Sequence, residues 1–149
     1  MRRVESVTTI AAKPATVQSA FLEESALRTW WGVERTLVQP REGGVYVLAW
    51  EASDRGYRFL NTGRIAILER GRLLVIEDWV YINPQHRILG PMTLTVETMR
   101  TGMDYSSLRV VQAGFERGPD WDWYHDAVQD AWPGVLERVR YYVEGGRTD

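Results

Sequence analysis

Glu77 and Asp78 stand side by side in "RLLVIEDWVYIN", a run that is otherwise mostly apolar. Successive residues of a strand face opposite sides, so the pair is expected to send one carboxylate inward. An inward carboxylate needs a partner or takes a raised pKa. In the second case it could serve as a general base beside a carbonyl. The competing reading pairs it with one of the many arginines, the commoner fate of a buried charge. Asp122, His125 and Asp126 crowd one turn of a helical stretch, with the two aspartates on one face. No second His lies four residues on and there is no cysteine, so these read as solvated acids favourable to a helix N-terminus, with no metal expected. His86, in "NPQHR", is left without a role. No serine stands at a nucleophile turn. No glycine-rich phosphate cradle is present, and no cofactor is expected. Gln112 lies mid-strand among apolar neighbours. Its amide can donate and accept, so it either orients a polar group of a ligand or bonds a side chain of the C-terminal helix.

The aromatic residues suggest a different chemistry. "RTWWG", residues 28–32, puts two of the seven tryptophans next to each other before a glycine. Consecutive helical side chains point about 100° apart, so the two rings cannot serve one surface of a regular helix. The expectation is that one ring, Trp31, faces a cavity while Trp30 closes against the first helix or the next strand. The plainer alternative is that both fill core. Alternation draws the rest of the wall. Tyr46, Leu48 and Trp50 share one strand face, as do Leu108, Val110 and Gln112. Trp79 and Tyr81 share another with Glu77. Opposite them, Tyr124, Val128 and Trp132 lie on one stripe of the last helix. Apolar and aromatic walls with a few polar tips are typical of small-molecule pockets.

These residues need elements to hold them. "VESVTTIAA" reads as a strand. Pro14 opens a short helix, and Glu24–Trp31 a second, with Gly32 as its stop. From residue 35 the pattern becomes strands joined by turns at Arg41–Gly44, "DRG", Arg70–Gly71 and Thr101–Asp104. "NPQHRILGP" reads as loop. In "MTLTVETMR", Met92, Leu94 and Val96 alternate with polar residues. From about Asp120 the chain is helical, with Trp121, Tyr124, Val128, Trp132, Val135 and Val139 three or four apart. Pro133 should kink or split this helix near Gln129–Trp132. The order is one strand, two short helices, about six strands in hairpin succession and one long helix. That order predicts an α+β fold in which a curved antiparallel sheet grips the C-terminal helix. The 149 residues suit one domain, with 144–149 expected to be a frayed tail.

Composition narrows the function classes. The net charge is −2 from 18 basic and 20 acidic residues. No basic block stands out, which argues against nucleic acid as partner. Lysine occurs only at position 13, and no functional conclusion follows from that bias. No apolar run reaches 18 residues, so membrane insertion is not expected. The absence of cysteine excludes disulfides and thiolate chemistry. With no signal-like apolar stretch at the N-terminus, it fits a cytoplasmic protein.

This element order, taken with "RTWWG", "REGG", "RLLVIEDW" and "LRVVQAGF", resembles the START-like (SRPBCC, helix-grip) superfamily. More narrowly it is similar to the group named after the C-terminal domain of the activator of Hsp90 ATPase. The shared features are the "WWG" segment, the Arg41–Gly44 turn, the Arg72-Leu73 strand ending near Trp79, the strand Leu108–Phe115, and Trp132 with Leu136 in the last helix. Gln112 stands where His is frequent in that group. The resemblance implies a cavity between sheet and helix that commonly holds an apolar small molecule. Three functions follow as expectations. The first is a binding protein for a small hydrophobic or aromatic molecule. The second is a cyclase- or dehydratase-like enzyme using an inward Glu77 or Asp78. The third is a protein-interaction module of co-chaperone type. Homodimerisation is left open.

Overall fold

The computed structural model describes residues 2–146. Strand β1 (Arg2–Ile10) leads into α1 (Pro14–Ser19) and α2 (Glu24–Trp30). Pro14 occupies the first turn of α1, where its missing N–H costs nothing. Gly32, at φ +71, turns the chain out of α2, a conformation that favours glycine. Five hairpin-linked strands follow the short β2 (Arg35–Val38): β3 (Val45–Ser53), β4 (Gly56–Glu69), β5 (Leu73–Ile82), β6 (Leu89–Gly102) and β7 (Tyr105–Phe115). Helix α3 (Pro119–Val143) ends the described fold. Of the tail expected to fray, residues 147–149 lie outside the described residues.

The strands form one sheet in the order β1-β7-β6-β5-β4-β3-β2, and all neighbours are antiparallel. This is the α+β arrangement that the order of elements predicts. Short turns enforce the antiparallel hairpins, and β1 returns to pair with the last strand. Helix α3 runs nearest to β1 and meets α2, while α1 rests on β6 and β7. The buried core between them includes Ile10, Val17, Leu27, Leu94 and Leu136. Gln18 fixes α1 to the β4–β5 turn. Its amide donates to the Glu69 carbonyl at 2.9 Å and accepts from the Gly71 N–H at 2.8 Å.

Three local expectations change. Leu89–Pro91, read as loop, belong to β6. Helix α3 is not split at Pro133 but continues from Pro119 to Val143. Proline removes one backbone bond, to the carbonyl of Gln129. Pro133 and Gln129 are both exposed, so water can satisfy that carbonyl. The buried Trp132, Leu136 and Val139 hold the turns on either side against the core. The third change concerns Glu77 and Asp78, both of which are exposed. Between Ile76 and Trp79, strand β5 spans three residue steps where β6 spans two, Leu94 to Met92. The same extra residue appears against β4. Asp78 takes φ +53 in this bulge, so Glu77 and Asp78 both project to solvent and Trp79 returns to the inner face. Arg64 pairs with Glu77 at 3.1 Å and with Asp78 at 3.6 Å. Trp79 and Tyr81 therefore do not share a face with Glu77.

No helix among the described residues is long and apolar enough to cross a membrane.

Candidate functional site

The bulge that turns Asp78 outward also sets the site. Trp79 swings onto the inner face across Gly63, where an added Cβ would meet Ile76 Cγ2 at 2.5 Å and Trp79 Cε3 at 3.2 Å. Only glycine leaves room for this crossing. Strand register then places Trp50 opposite Phe59 and Asn61 opposite Tyr81. Against this row stands α3. Its facing positions Ala127, Val128 and Ala131 are small, so they do not fill the space beneath. What remains is a recess of about 570 Å³ between the β3–β4–β5 part of the sheet and the helix.

Trp31 and Trp30 divide as their backbone positions dictate. Trp30 is the last residue of α2 and is 2% exposed. Its indole N–H donates to the Ala20 carbonyl at 2.8 Å. Trp31 caps the helix, and its ring stacks on that of Trp30 at 4.9 Å, 10° from parallel. One residue on from Trp30 around the helix end, Trp31 borders the recess. It meets Trp50 edge-on at 5.5 Å and Trp132 at 5.7 Å. The Trp50 N–H donates to the Trp31 carbonyl at 3.2 Å, tying the α2 end to β3. Tyr81 and Tyr124 stack at 4.4 Å farther along the wall.

The polar tips belong to one network. Gln112 is buried on β7. Its Oε1 accepts from Trp132 Nε1 at 3.1 Å, while its Nε2 donates to Tyr124 Oη at 3.3 Å and lies 3.5 Å from Met92 Sδ. Asn61 donates to the Val80 carbonyl at 3.4 Å. Burial pushes the Tyr124 hydroxyl pKa up to about 12, opposed by hydrogen bonds from Gln112 and Asn61. Tyr124 is therefore a neutral hydroxyl at ordinary pH and not a base.

Of the wall drawn by alternation, Trp31, Trp50, Trp79 and Tyr81 border the recess, as do Gln112, Tyr124, Val128 and Trp132. Tyr46, Leu48 and Val110 do not. They are closed in the core, with 1% exposure or less. The Tyr46 hydroxyl donates to the Phe21 carbonyl at 2.6 Å, and its burial raises the pKa strongly. Sequence reasoning missed Phe59 and Asn61, which the β3–β4 register places beside Trp50. It also missed Ala127 and Ala131, small residues four apart on a stripe otherwise rich in large ones. Trp123 lies at the far end of the lining. The His86 ring stacks on it at 4.0 Å, and His86 Nδ1 lies 3.3 Å from Asp120 Oδ1. This contact fastens the β5–β6 loop to the first turn of α3.

The charged groups on the lining are Glu51 and Arg138, both exposed at the rim. Neither Glu77 nor Asp78 reaches it, so the inward carboxylate expected for acid–base work is absent from this wall. Asp122 pairs with Arg2 at 2.8 Å and Asp126 with His125 at 3.3 Å. Among the described residues, no group of three His, Asp or Glu side chains is placed to hold a metal ion. Chemically, the recess can accept an apolar or aromatic body and offer it amide and hydroxyl hydrogen bonds.

Comparison with known proteins agrees with the geometry of the fold. No curated protein matches the sequence. A protein from Mesorhizobium loti has a similar structure, with a TM-score of 0.78 at 17% identity, over 96% of this chain and 97% of that one. The Aha1 dimer from Colwellia psychrerythraea matches with a TM-score of 0.73 at 12% identity, over 99% and 100% of the two chains. An Hsp90 activator from Plasmodium falciparum matches with a TM-score of 0.70 at 13% identity, over 96% of each chain. At these identities the likeness establishes the fold alone. The model of one family, described as activator of Hsp90 ATPase homolog 1-like protein, matches residues 11–144. The chain thus belongs to the activator of Hsp90 ATPase homolog 1-like family.

Proposed function

We propose that the protein is a binding domain for a small hydrophobic or aromatic molecule, held in the recess between the sheet and α3. One observation carries this reading. Trp31, Trp50, Phe59, Trp79 and Trp132 converge on a space of about 570 Å³ whose charged lining groups stand only at its rim. That size falls in the range of roughly 300–1,000 Å³ typical of ligand sites. A closed core would pack the helix face opposite these rings with residues larger than Ala127 and Ala131. The cyclase- or dehydratase-like alternative loses support, because its carboxylates point to solvent and pair with Arg64. We also place the whole chain in this role as one START-like domain acting in the cytoplasm, for which its lack of cysteine is suited. A homodimer is compatible with the reading, since the Colwellia relative is described as a dimer.

The test is titration with N-phenyl-1-naphthylamine, a neutral aromatic probe, followed by energy transfer from tryptophan. Saturable transfer that weakens in Trp50→Ala supports the reading. Unchanged tryptophan emission over the probe's soluble range overturns it. Native mass spectrometry of protein purified without detergent would show a retained ligand as added mass.

A further inference from the structure

The rim of the recess is not electrically neutral in its free groups. Glu51 is held by Arg58 at 3.2 Å. Arg138 has no carboxylate within ion-pair distance among the described residues, since its helix-face neighbours Gly134, Val135, Tyr141 and Tyr142 are not acidic and Arg140 takes both Glu137 and Glu144. Arg138 lies on the α3 face of Ala131 and Val135, which also border the recess, and about 120° around the helix from Trp132. Helical side chains lean back toward the N-terminus, which carries the Arg138 side chain over Val135, and Arg138 is part of the lining together with Trp31 and Trp132. At this end Trp31 and Trp132 stand 5.7 Å apart. An unpaired planar cation with five donors therefore lines the same recess as these indoles, and the other free polar groups there are neutral.

We propose, building on the small-molecule reading, that the ligand class is an aromatic or apolar body bearing a carboxylate, with the ring among Trp31, Trp50 and Trp132 and the carboxylate on Arg138. A guanidinium matches a carboxylate through two parallel N–H···O bonds, which adds orientation to attraction. Glu51, already neutralised by Arg58, does not oppose the anion at close range. A ligand with a cationic head would have to compete with Arg138 for the same rim and is disfavoured.

The test compares 2-naphthoate with 2-naphthamide, which share the ring system and differ in charge, by tryptophan quenching at low salt. The expected result is a preference of about threefold to fivefold for naphthoate, the upper part of the range of an exposed ion pair. The preference should shrink as salt is raised. Arg138→Gln should abolish it, and Glu51→Gln should enlarge it. Equal affinity of the wild type for both probes, or a preference that survives Arg138→Gln, overturns the carboxylate assignment while leaving the recess as a binding site. Saturable binding of neither probe overturns the small-molecule reading itself and this assignment with it.

Discussion

Trp132 and Gln112 face each other across the gap between α3 and β7, and the indole N–H of the first donates to the amide oxygen of the second at 3.1 Å. Both side chains are nearly closed to solvent, yet both border the recess. The same amide also donates to Tyr124, two turns earlier on the helix. One side chain therefore fixes two aromatic residues of α3 against the sheet and keeps the inner wall free of unpaired polar atoms.

Replacing Gln112 by Leu should destabilise the fold by about 1–3 kcal/mol, because the Trp132 N–H and the Tyr124 hydroxyl lose their partner in a buried place. Urea unfolding measures this. A change within a few tenths of a kcal/mol would mean that water or a local shift replaces the amide.

Trp30 and Trp50, which both contact Trp31, provide an internal comparison. Trp30 is surrounded by protein and hydrogen-bonded to Ala20. Trp30→Ala should cost the full core value of about 3–5 kcal/mol. Trp50 is half-buried and has the recess on one side. Trp50→Ala should cost clearly less and should weaken binding of N-phenyl-1-naphthylamine. Equal stability losses would indicate that Trp50 is an ordinary core residue.

Glu77→Gln combined with Asp78→Asn should change stability by no more than about 1 kcal/mol, as expected of exposed ion pairs. Probe affinity should remain as in the wild type, since neither carboxylate borders the recess. A large effect on binding would contradict the outward placement set by the β5 bulge.

The order of elements and the antiparallel sheet were readable because alternation and turn residues agreed along the whole chain. The C-terminal stripe gave Tyr124, Val128 and Trp132 for the same reason. The position of Glu77 was not readable. Period-two reasoning assumes an unbroken strand, and the extra residue at Asp78 separates Glu77 from the face of Trp79 and Tyr81. Pro133 does not split α3, since its local cost is offset by packing on both sides. Tyr46 and Leu48 share the face of Trp50 but sit deeper in the fold. Alternation gives the side of a sheet on which a residue lies, not its depth.

Alkaline pH should destabilise the protein through Tyr124 and Tyr46. The folded-state pKa of Tyr124 is raised to about 12 from 10 by burial, and that of Tyr46 is raised as well. The folded state therefore holds these protons more tightly than the unfolded chain. Their contribution is complete below pH 10 and declines as pH rises through 12, by up to about 1.4 kcal/mol per pH unit for each group. Absorbance of tyrosinate should show a cooperative component that appears only together with unfolding. Titration of every tyrosine near 10 in a folded protein would contradict the burial.

The most direct test of the central claim is the response of the seven tryptophan indole N–H signals to N-phenyl-1-naphthylamine, followed by nuclear magnetic resonance of the 15N-labelled protein. If the recess binds a small aromatic molecule, the Trp50 and Trp132 signals shift together and saturate with one dissociation constant. Trp121, which packs on Phe115 away from the lining, stays in place. If no indole signal moves, or if Trp121 shifts as much as Trp50 and Trp132 without saturation, the recess is not a ligand site.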